Sequence, residues 1–326
     1  MASPLLQVRN LKTEFAAGTP SALTAVNDVS FEVDAGETLA IVGESGSGKS
    51  ITALSIMRLV PEPPGKITAG EVMFDGVNLL ELSEDEMRKV RGNRIAMIFQ
   101  EPLTSLNPSL TIGLQIAEPI NLHKKLPWPK AFDKAKELLD RVRMPDARSR
   151  LSTHPHQFSG GMRQRIMIAM ALACQPKLII ADEPTTALDV TVQAQVLELL
   201  KELTRETGAA LILITHDLGV VARYADRVCV MYGGKVIETA AARELYEKPL
   251  HPYTRGLMAS IPRLDQPAGK RLVPIRGQPP NLAQLPPGCS FNPRCAEAIE
   301  RCRCDVPSLM PASEHHLHAC WVAPHA

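Results

Sequence analysis

The sequence has almost no excess charge of either sign and few aromatic side chains. Lys and Arg number 36 against 35 Asp and Glu, and Phe, Trp and Tyr make up 4% of the 326 residues. Proteins that bind nucleic acid usually show a basic excess or a basic block. The composition therefore argues against nucleic acid as a partner. The 45% of hydrophobic residues suffice for one large domain and a smaller one.

Long apolar runs and a secretory leader are also missing. No apolar segment approaches the roughly 18 residues that a membrane-spanning helix needs. The N-terminus MASPLLQVRN lacks a basic region followed by an apolar run. We therefore expect a cytosolic protein. Because the cytosol keeps thiols reduced, we do not expect its seven cysteines to form a disulfide framework.

Short apolar runs of strand length alternate with helical patterns. ETLAIVG, LIIADE and ALILITH each contain a short apolar run of strand length, as expected of strands buried on both faces. KSITALSIMRLV and VTVQAQVLELLKELTRETG have helical periodicity. Residues 8–14 and 26–33 alternate as in an antiparallel subsheet, and VCVMYGGKVIETA predicts a hairpin that turns at Gly233 and Gly234. This order predicts an α/β fold with a parallel sheet.

Two stretches depart from the alternation. Residues 101–170 carry helical patterns without buried-strand runs, so we expect a helical insert there. Residues 262–287 contain seven prolines, a density that excludes a regular helix or a central strand. We therefore assign residues 1–260 to the first domain. Residues 261–326 would form an extension that begins as a proline-rich linker or surface arm.

GESGSGKS, at residues 43–50, fits the pattern G-x-x-x-x-G-K-[ST] between a predicted strand and a predicted helix. Glycines let the backbone curl so that N–H groups point at phosphates, and the helix N-terminus adds partial positive charge. The alternatives are a chance Gly/Ser loop and a dinucleotide-binding loop, whose spacing does not fit. The predicted nucleotide-binding residues here are Gly43, Glu44, Ser45, Gly46, Ser47, Gly48, Lys49, Ser50 and Ile51.

Asp182 and Glu183 end the apolar run LIIADE. Carboxylates at the C-terminal edge of a parallel strand face a bound ligand. We expect Asp182 to hold Mg²⁺ and Glu183 to polarise the attacking water. The structural alternative is a pair that caps a following helix.

Further motifs follow in a fixed order, and together they resemble the ATP-binding cassette (ABC) ATPases over about residues 5–260. HQFSGGMRQR is similar to the signature sequence, TTALD to the D-loop, LITHD to the switch-histidine strand and IFQEP to the Q-loop. Phe158 and Met162 depart from the common signature, whose Ser-Gly-Gly core is intact. The residues this resemblance assigns are Phe15, Gln100, Ser159, Gly160, Gly161, Asp189 and His216.

The resemblance implies a P-loop NTPase of the ABC cassette type. Its expected parts are a RecA-like parallel sheet, an antiparallel β subdomain and a helical insert. ATP and Mg²⁺ would be the cofactors, with Ser50, Gln100 and Asp182 near the metal. Lys49, Glu183 and His216 would be catalytic. The signature would face the nucleotide of a second ATPase subunit, so that two subunits enclose two ATP molecules.

The C-terminal part resembles the extension of dipeptide/oligopeptide importer ATPases, through HPYTRGLMASIPRL, IRGQPPNL and the cysteine-rich end. That resemblance implies a second, related ATPase (a heterodimer), two membrane permeases and a periplasmic binding protein. The protein would lie at the cytoplasmic face of the bacterial inner membrane. Related importers carry nickel, glutathione or other solutes, so the sequence does not fix the cargo.

A DNA-repair or translation ATPase is less favoured, because the chain has one phosphate loop and no heptads. A redox-sensing metalloprotein with a regulatory ATPase has only the cysteines in its support.

Five of the seven cysteines lie between residues 289 and 320. Their spacings fit neither the usual zinc pairs nor the common ferredoxin runs, so spacing alone leaves zinc and unligated thiols open. His315, His316 and His318 could add zinc ligands, but we expect them at the surface. The family resemblance implies a structural [4Fe–4S] cluster, with Zn²⁺ as the alternative. Its ligands would be Cys289, Cys295, Cys302 and Cys320, with Cys304 spare, while Cys174 and Cys229 are expected in the core.

Overall fold

The computed structural model describes residues 3–19, 21–186, 188–260 and 274–323, with the side chain of residue 103 left out. Two short 3-10 turns lie at Pro155–Gln157 and Asn292–Arg294. The strands and helices, in chain order, are β1 (Leu6–Phe15), β2 (Leu23–Val33), β3 (Thr38–Val42), α1 (Lys49–Ile56), β4 (Gly65–Phe74), β5 (Val77–Asn78), α2 (Glu84–Val90), β6 (Ile95–Ile98), α3 (Pro102–Ser105), α4 (Ile112–Lys124), α5 (Trp128–Arg141), α6 (Ala147–Arg150), α7 (Gly160–Leu172), β7 (Leu178–Asp182), α8 (Val190–Thr207), β8 (Ala210–Thr215), α9 (Leu218–Tyr224), β9 (Arg227–Tyr232), β10 (Lys235–Ala241), α10 (Ala242–Glu247), α11 (Pro252–Ala259), α12 (Glu300–Cys304), β11 (Met310–Pro311) and β12 (Leu317–His318).

The chain divides into two compact units. Among the described residues, the first comprises 3–19, 21–33, 38–80, 215–260 and 274–323, and the second comprises 34–37, 81–186 and 188–214.

The first unit contains the predicted antiparallel subsheet, with strand order β2-β1-β4-β5. Leu6 on β1 pairs with Val33 on β2 and with Phe74 on β4, and all three side chains are fully buried. The alternation seen in residues 8–14 and 26–33 therefore places one face of each strand in the core. β4 was not predicted.

The first unit also holds part of a second sheet. β3 pairs in parallel with β9, and β9 forms an antiparallel hairpin with β10 around Gly233 and Gly234, as predicted. β12 then pairs with β10, and β11 with β12. The C-terminal segment is thus joined to this second sheet by main-chain hydrogen bonds.

The second unit is built on three parallel strands in the order β6, β7, β8. Every residue of β7 and β8 is buried, which explains their uninterrupted apolar sequences. Between residues 101 and 170 the described chain contains helices and no strand, as expected of the helical insert. α8 ends where Gly208 adopts a left-handed conformation with φ of 68°, at the predicted glycine stop.

One helix is shorter than predicted. The pattern KSITALSIMRLV predicts a helix over residues 49–60, but α1 ends at Ile56. Arg58 adopts a left-handed backbone with φ of 51°, and the amide of Leu59 turns back to the carbonyl of Leu54. Apolar periodicity continues past this turn, so periodicity alone placed the helix end wrongly.

The proline-rich arm is described only from residue 274. Between residues 274 and 287 it has no helix or strand, as its composition predicts. Its first part, residues 261–273, lies outside the described residues.

Candidate nucleotide site and cysteine segment

The predicted phosphate loop, GESGSGKS at residues 43–50, follows β3 and runs into α1, in the predicted strand–loop–helix context. Gly46 and Gly48 have φ of 79° and 102°, values that favour glycine. A Cβ at Gly48 would lie 2.5 Å from the carbonyl oxygen of Ala25, whereas a Cβ at Gly46 would meet nothing within 4 Å. The curled backbone ends at the N-terminus of α1, an arrangement that suits an anion.

Lys49 is buried and held by the loop that precedes it. Its Nζ donates to the carbonyl oxygens of Gly43 and Glu44 at 2.8 and 3.0 Å. Lys49 is 5% exposed. The backbone of Glu44 is itself fixed, because its amide donates to the hydroxyl of Tyr253 at 2.9 Å. Tyr253 lies in the quoted HPYTRG sequence, but sequence reasoning gave it no role at the loop.

In the second unit, Gln100 and Glu183 lie in direct contact. Gln100 Nε2 donates to Glu183 Oε2 at 3.1 Å, and Thr186 Oγ1 donates to the same oxygen at 2.8 Å. Glu183 has a left-handed backbone with φ of 44°, a conformation that costs a non-glycine residue energy and is enriched at functional sites. The preceding Asp182 ends β7 and is 6% exposed. Two donors therefore fix the orientation of the Glu183 carboxylate.

The signature and D-loop residues begin two helices of the second unit. The Ser159 hydroxyl caps α7 by accepting from the amide of Met162 at 3.4 Å, and Gly160 and Gly161 are the first residues of that helix. The Asp189 carboxylate caps α8 by accepting from the amide of Val192 at 3.0 Å. Both Ser159 and Gly160 are exposed, so the start of α7 is open to a ligand.

A cavity of about 300 Å³ lies between the Q-loop and the signature helix in this unit. It brings Gln100 and Gly160, two predicted site residues, to one surface. Its lining residues are Gln100, Glu101, Pro102, Gly160, Arg163, Gln164, Pro184 and Leu188.

The other two assigned residues belong to the first unit. Phe15 ends β1, is half-buried and packs against Gly65. His216 is exposed and follows β8 directly, before the α9 N-cap Asp217. The adenine-stacking role of Phe15 and the γ-phosphate role of His216 stay predictions.

Four of the five C-terminal cysteines lie within electrostatic range of one another. Burial, with smaller contributions from Cys302, Cys320 and Cys295, raises the pKa of Cys289 to about 11. Burial also raises the pKa of Cys295, with smaller contributions from Cys320, Glu297 and Cys302. Burial raises the pKa of Cys320 as well, with a smaller contribution from Cys302. The amide of Cys289 donates to the carbonyl of Cys302 at 2.8 Å, while Cys304 is exposed. These four cysteines are the ones that the family resemblance assigns as cluster ligands, and that assignment stays a prediction.

This gathering falls short of a preformed metal site. Among residues 3–19, 21–186, 188–260 and 274–323, no group of three or more His, Cys, Asp or Glu side chains is placed to hold a metal ion. Cys174 and Cys229 are buried in the core, as predicted. Burial raises the pKa of Cys229 to about 12, so this thiol is inert at neutral pH.

The prediction that the three terminal histidines lie at the surface is wrong for two of them. His315 is exposed, but His316 and His318 are 1% and 0% exposed. They are buried because β12 pairs with β10. His316 contacts Glu238 at 2.8 Å through Nε2 and Glu244 at 3.2 Å through Nδ1.

The His316–Glu238 contact shifts the pKa values of both groups away from the direction that burial favours. Burial alone would lower the pKa of His316, but its hydrogen bond to Glu238 and the carboxylate charges raise it above its usual value. Burial alone would raise the pKa of Glu238, but hydrogen bonds from His316 and from the backbone amides of Leu250 and His251 help to lower it overall. The C-terminal segment is therefore fastened to the sheet by a buried hydrogen bond between His316 and Glu238.

None of the described helices is both long enough and apolar enough to cross a membrane.

Two family models match the chain. One, described as ABC transporter, covers residues 26–186, and the other, described as oligopeptide/dipeptide transporter, C-terminal region, covers residues 237–302. Both matches agree with the motifs quoted above.

Curated relatives and solved structures agree with the family models. The chain is 52% identical to the oligopeptide transport ATP-binding protein OppD of Salmonella typhimurium and 51% identical to OppD of Escherichia coli, with 98% of this chain and 94% of each relative covered. Among solved structures it resembles the ATP-binding cassette MJ0796, described as a dimer in a post-hydrolysis state bound to ADP and Pi. That match has a TM-score of 0.65 and 30% identity, and it covers 73% of this chain and 99% of the other. The chain therefore belongs to the ABC transporter ATPases, in the branch of the oligopeptide transport ATP-binding proteins.

Proposed function

We propose that this protein hydrolyses ATP to drive the import of dipeptides or oligopeptides through membrane permeases. The observation that carries the proposal is the pairing of an ABC cassette with an oligopeptide/dipeptide transporter C-terminal region in one chain. Relatives that carry the name oligopeptide transport ATP-binding protein align over 98% of its length.

In this proposal the phosphate loop binds the triphosphate of ATP. The backbone amides of residues 45–51 and the N-terminus of α1 would face the phosphates, and Lys49 would exchange its carbonyl partners for phosphate oxygens. Ser50 would ligate Mg²⁺. Phe15 would stack on the adenine ring.

Asp182, Gln100, Glu183 and His216 would complete the hydrolytic machinery. Asp182 and Gln100 have oxygen atoms of the type Mg²⁺ prefers. Glu183 would orient and polarise the attacking water, and its two hydrogen-bond donors support this role by fixing the carboxylate. His216 would contact the γ-phosphate.

The signature would act on a second subunit. Ser159, Gly160 and Gly161 present a helix N-terminus, which suits the γ-phosphate of a nucleotide bound elsewhere. Asp189 would lie at the same subunit interface. We propose a related ATPase as the partner, with two permeases and a periplasmic binding protein completing the importer. The ATPase would sit on the cytoplasmic face of the inner membrane.

We also propose that Cys289, Cys295, Cys302 and Cys320 hold a [4Fe–4S] cluster, with zinc as the alternative. Four thiols are the donors that such a cluster takes. The choice of these four is supported by the backbone hydrogen bond that joins Cys289 to Cys302, and by the electrostatic influence of neighbouring thiols on Cys289, Cys295 and Cys320. The cluster would supply a covalent clip for a segment too short to hold a core of its own.

The test is ATP binding and transport with matched lysine variants of the full chain. Lys49→Ala should abolish Mg-ATP binding, while Lys134→Ala, on the exposed face of α5, should bind like the wild type. Reconstituted with its permeases and binding protein, the wild type should take up labelled peptide only with ATP. Unchanged ATP binding by Lys49→Ala would refute the site. Uptake of another solute in preference to peptides would refute the cargo.

A further inference from the structure

The cysteine segment, residues 289–320, contacts the phosphate loop through Arg294. Arg294, next to Cys295, forms a two-pronged ion pair with Glu44, the second residue of the loop. Nη1 and Nη2 lie 2.6 and 3.0 Å from Oε2 and Oε1. The Arg294 side chain is 6% exposed and the Glu44 side chain 26%. Paired, part-buried Arg–carboxylate contacts of this form are stronger and more directional than exposed ion pairs.

Arg294 is held rigidly in its place. Its Nε donates to the carbonyl oxygen of Arg276, in the proline-rich arm, at 2.9 Å. Nη1 also lies 3.3 Å from the hydroxyl of Tyr232. The guanidinium carbon is 5.8 and 5.9 Å from the ring centres of Tyr232 and Phe291. The arginine therefore meets Glu44 with its orientation already fixed.

Glu44 connects Arg294 to Lys49 through hydrogen bonds. Its carboxylate is held by Arg294, its amide by the Tyr253 hydroxyl, and its carbonyl oxygen accepts from Lys49 Nζ. The carbonyl oxygen of Gly43, one residue earlier, is the other acceptor for Lys49. A change at Arg294 would therefore alter the peptide groups that position the phosphate-binding lysine.

We propose that Arg294 is a positioning residue for nucleotide binding, which acts through Glu44 on the phosphate loop and so makes ATP affinity depend on the folded cysteine segment. The inference rests on the proposed function of the loop as the triphosphate site. The inference requires no new ligand. It requires only that the cysteine segment holds the phosphate loop in the conformation that binds the triphosphate.

The test is a double-mutant cycle on Mg-ATP affinity in the full chain. Arg294→Ala and Glu44→Ala should each raise the Kd for Mg-ATP about tenfold, the order expected for a charged hydrogen-bonded pair. The double variant should be no weaker than the weaker single variant, because both changes remove one interaction. Arg294→Lys keeps the charge but cannot form two parallel hydrogen bonds to the Glu44 carboxylate. It should therefore raise the Kd less than Arg294→Ala does. At saturating ATP, the kcat of Arg294→Ala should stay within about twofold of wild type, because Glu183 is untouched.

The Arg255–Glu297 pair provides the matched control. It joins α11 to the same cysteine segment at 2.7 Å without contacting the phosphate loop. Arg255→Ala should therefore leave the Kd for Mg-ATP unchanged. Equal weakening by Arg255→Ala would mean that the segment acts only as general support, and the inference would be wrong.

The other possible results of the double-mutant cycle also support or overturn the role of Arg294. Additive effects in the cycle, or wild-type Kd in Glu44→Ala, would overturn the inference. If Arg294→Ala does not fold, Arg294→Lys and Glu44→Ala carry the test, and wild-type affinity in both would overturn it. Lys49→Ala distinguishes failure of the proposed function from failure of the inference about Arg294. If Lys49→Ala binds Mg-ATP like the wild type, the proposed function fails. If Lys49→Ala loses binding while the Arg294 variants keep it, only the inference fails.

Discussion

The side-chain amide of Gln100 donates a hydrogen bond to the carboxylate of Glu183, with Nε2 and Oε2 3.1 Å apart. The two residues are 83 positions apart in the sequence, and each follows a strand of the same three-stranded parallel arrangement. A residue expected at the metal and a residue expected to activate water are therefore in direct contact. A change at either one should alter the chemistry carried by the other.

Replacing Gln100 should slow turnover more than it weakens binding. Gln100→Ala removes one of the two donors that orient Glu183, so we expect kcat to fall about tenfold, with the Kd for Mg-ATP within about threefold of wild type. Gln100→Glu replaces the donor with a second carboxylate beside Glu183, so its kcat should fall at least as far as that of Gln100→Ala. Steady-state rates and Mg-ATP binding of both variants would show these effects. A wild-type kcat in both variants would mean that the contact between Gln100 and Glu183 has no role in turnover.

Glycine substitutions in the phosphate loop should differ in cost. At Gly46 an alanine side chain has open space and only the left-handed backbone to accommodate, a cost of about 1 kcal/mol. At Gly48 the new Cβ would also press on the Ala25 carbonyl oxygen at 2.5 Å, so we expect about 3 kcal/mol or more. Urea unfolding of Gly46→Ala and Gly48→Ala measures the difference. Equal losses of unfolding free energy would mean that the close approach to Ala25 carries no weight.

The spare thiol should be Cys304. It is exposed, whereas Cys302 is buried among the other three cysteines. Anaerobically purified wild type and Cys304→Ser should contain about four irons per chain and absorb visible light. Cys302→Ser should lose iron. Colourless, zinc-loaded protein, or full iron content in Cys302→Ser, would contradict the proposed cluster.

The His316–Glu238 pair predicts a pH-dependent contribution to stability. The raised pKa of His316 means that its contribution is complete below the unfolded-state value near 6.5 and is lost as the pH rises through the folded-state value. His316→Gln should therefore lose about 3 kcal/mol of unfolding free energy at pH 6 and progressively less above it. The lowered pKa of Glu238 keeps the carboxylate charged across this range.

His315→Gln is the control for this series, because His315 is the exposed neighbour. Its unfolding free energy should follow the wild-type curve at every pH. A loss in His316→Gln that stays constant from pH 6 to 9 would contradict the charged pair.

The sequence predicted those parts of the molecule whose signals are local. The phosphate loop, the strands LIIADE and ALILITH, the glycine at the end of α8 and the hairpin at Gly233 each depend on a few consecutive residues. The cassette fold and the family followed from the order of such motifs.

Long-range packing accounts for what the sequence left open. Glu44 and Arg294 are 250 positions apart, and nothing in GESGSGKS or NPRC indicates that they meet. His316 and His318 looked like surface residues because their burial depends on β12 pairing with β10. The end of α1 was missed because the apolar period runs on past Arg58, where the backbone turns left-handed.

The central claim is that this chain hydrolyses ATP with Glu183 as the residue that activates water. Its most direct test is Mg-ATP binding and single-turnover hydrolysis by Glu183→Gln beside the wild type. We expect Glu183→Gln to bind Mg-ATP with a Kd within about threefold of wild type and to hydrolyse it at least about a hundredfold more slowly. Hydrolysis by Glu183→Gln at a rate near that of the wild type would contradict the account.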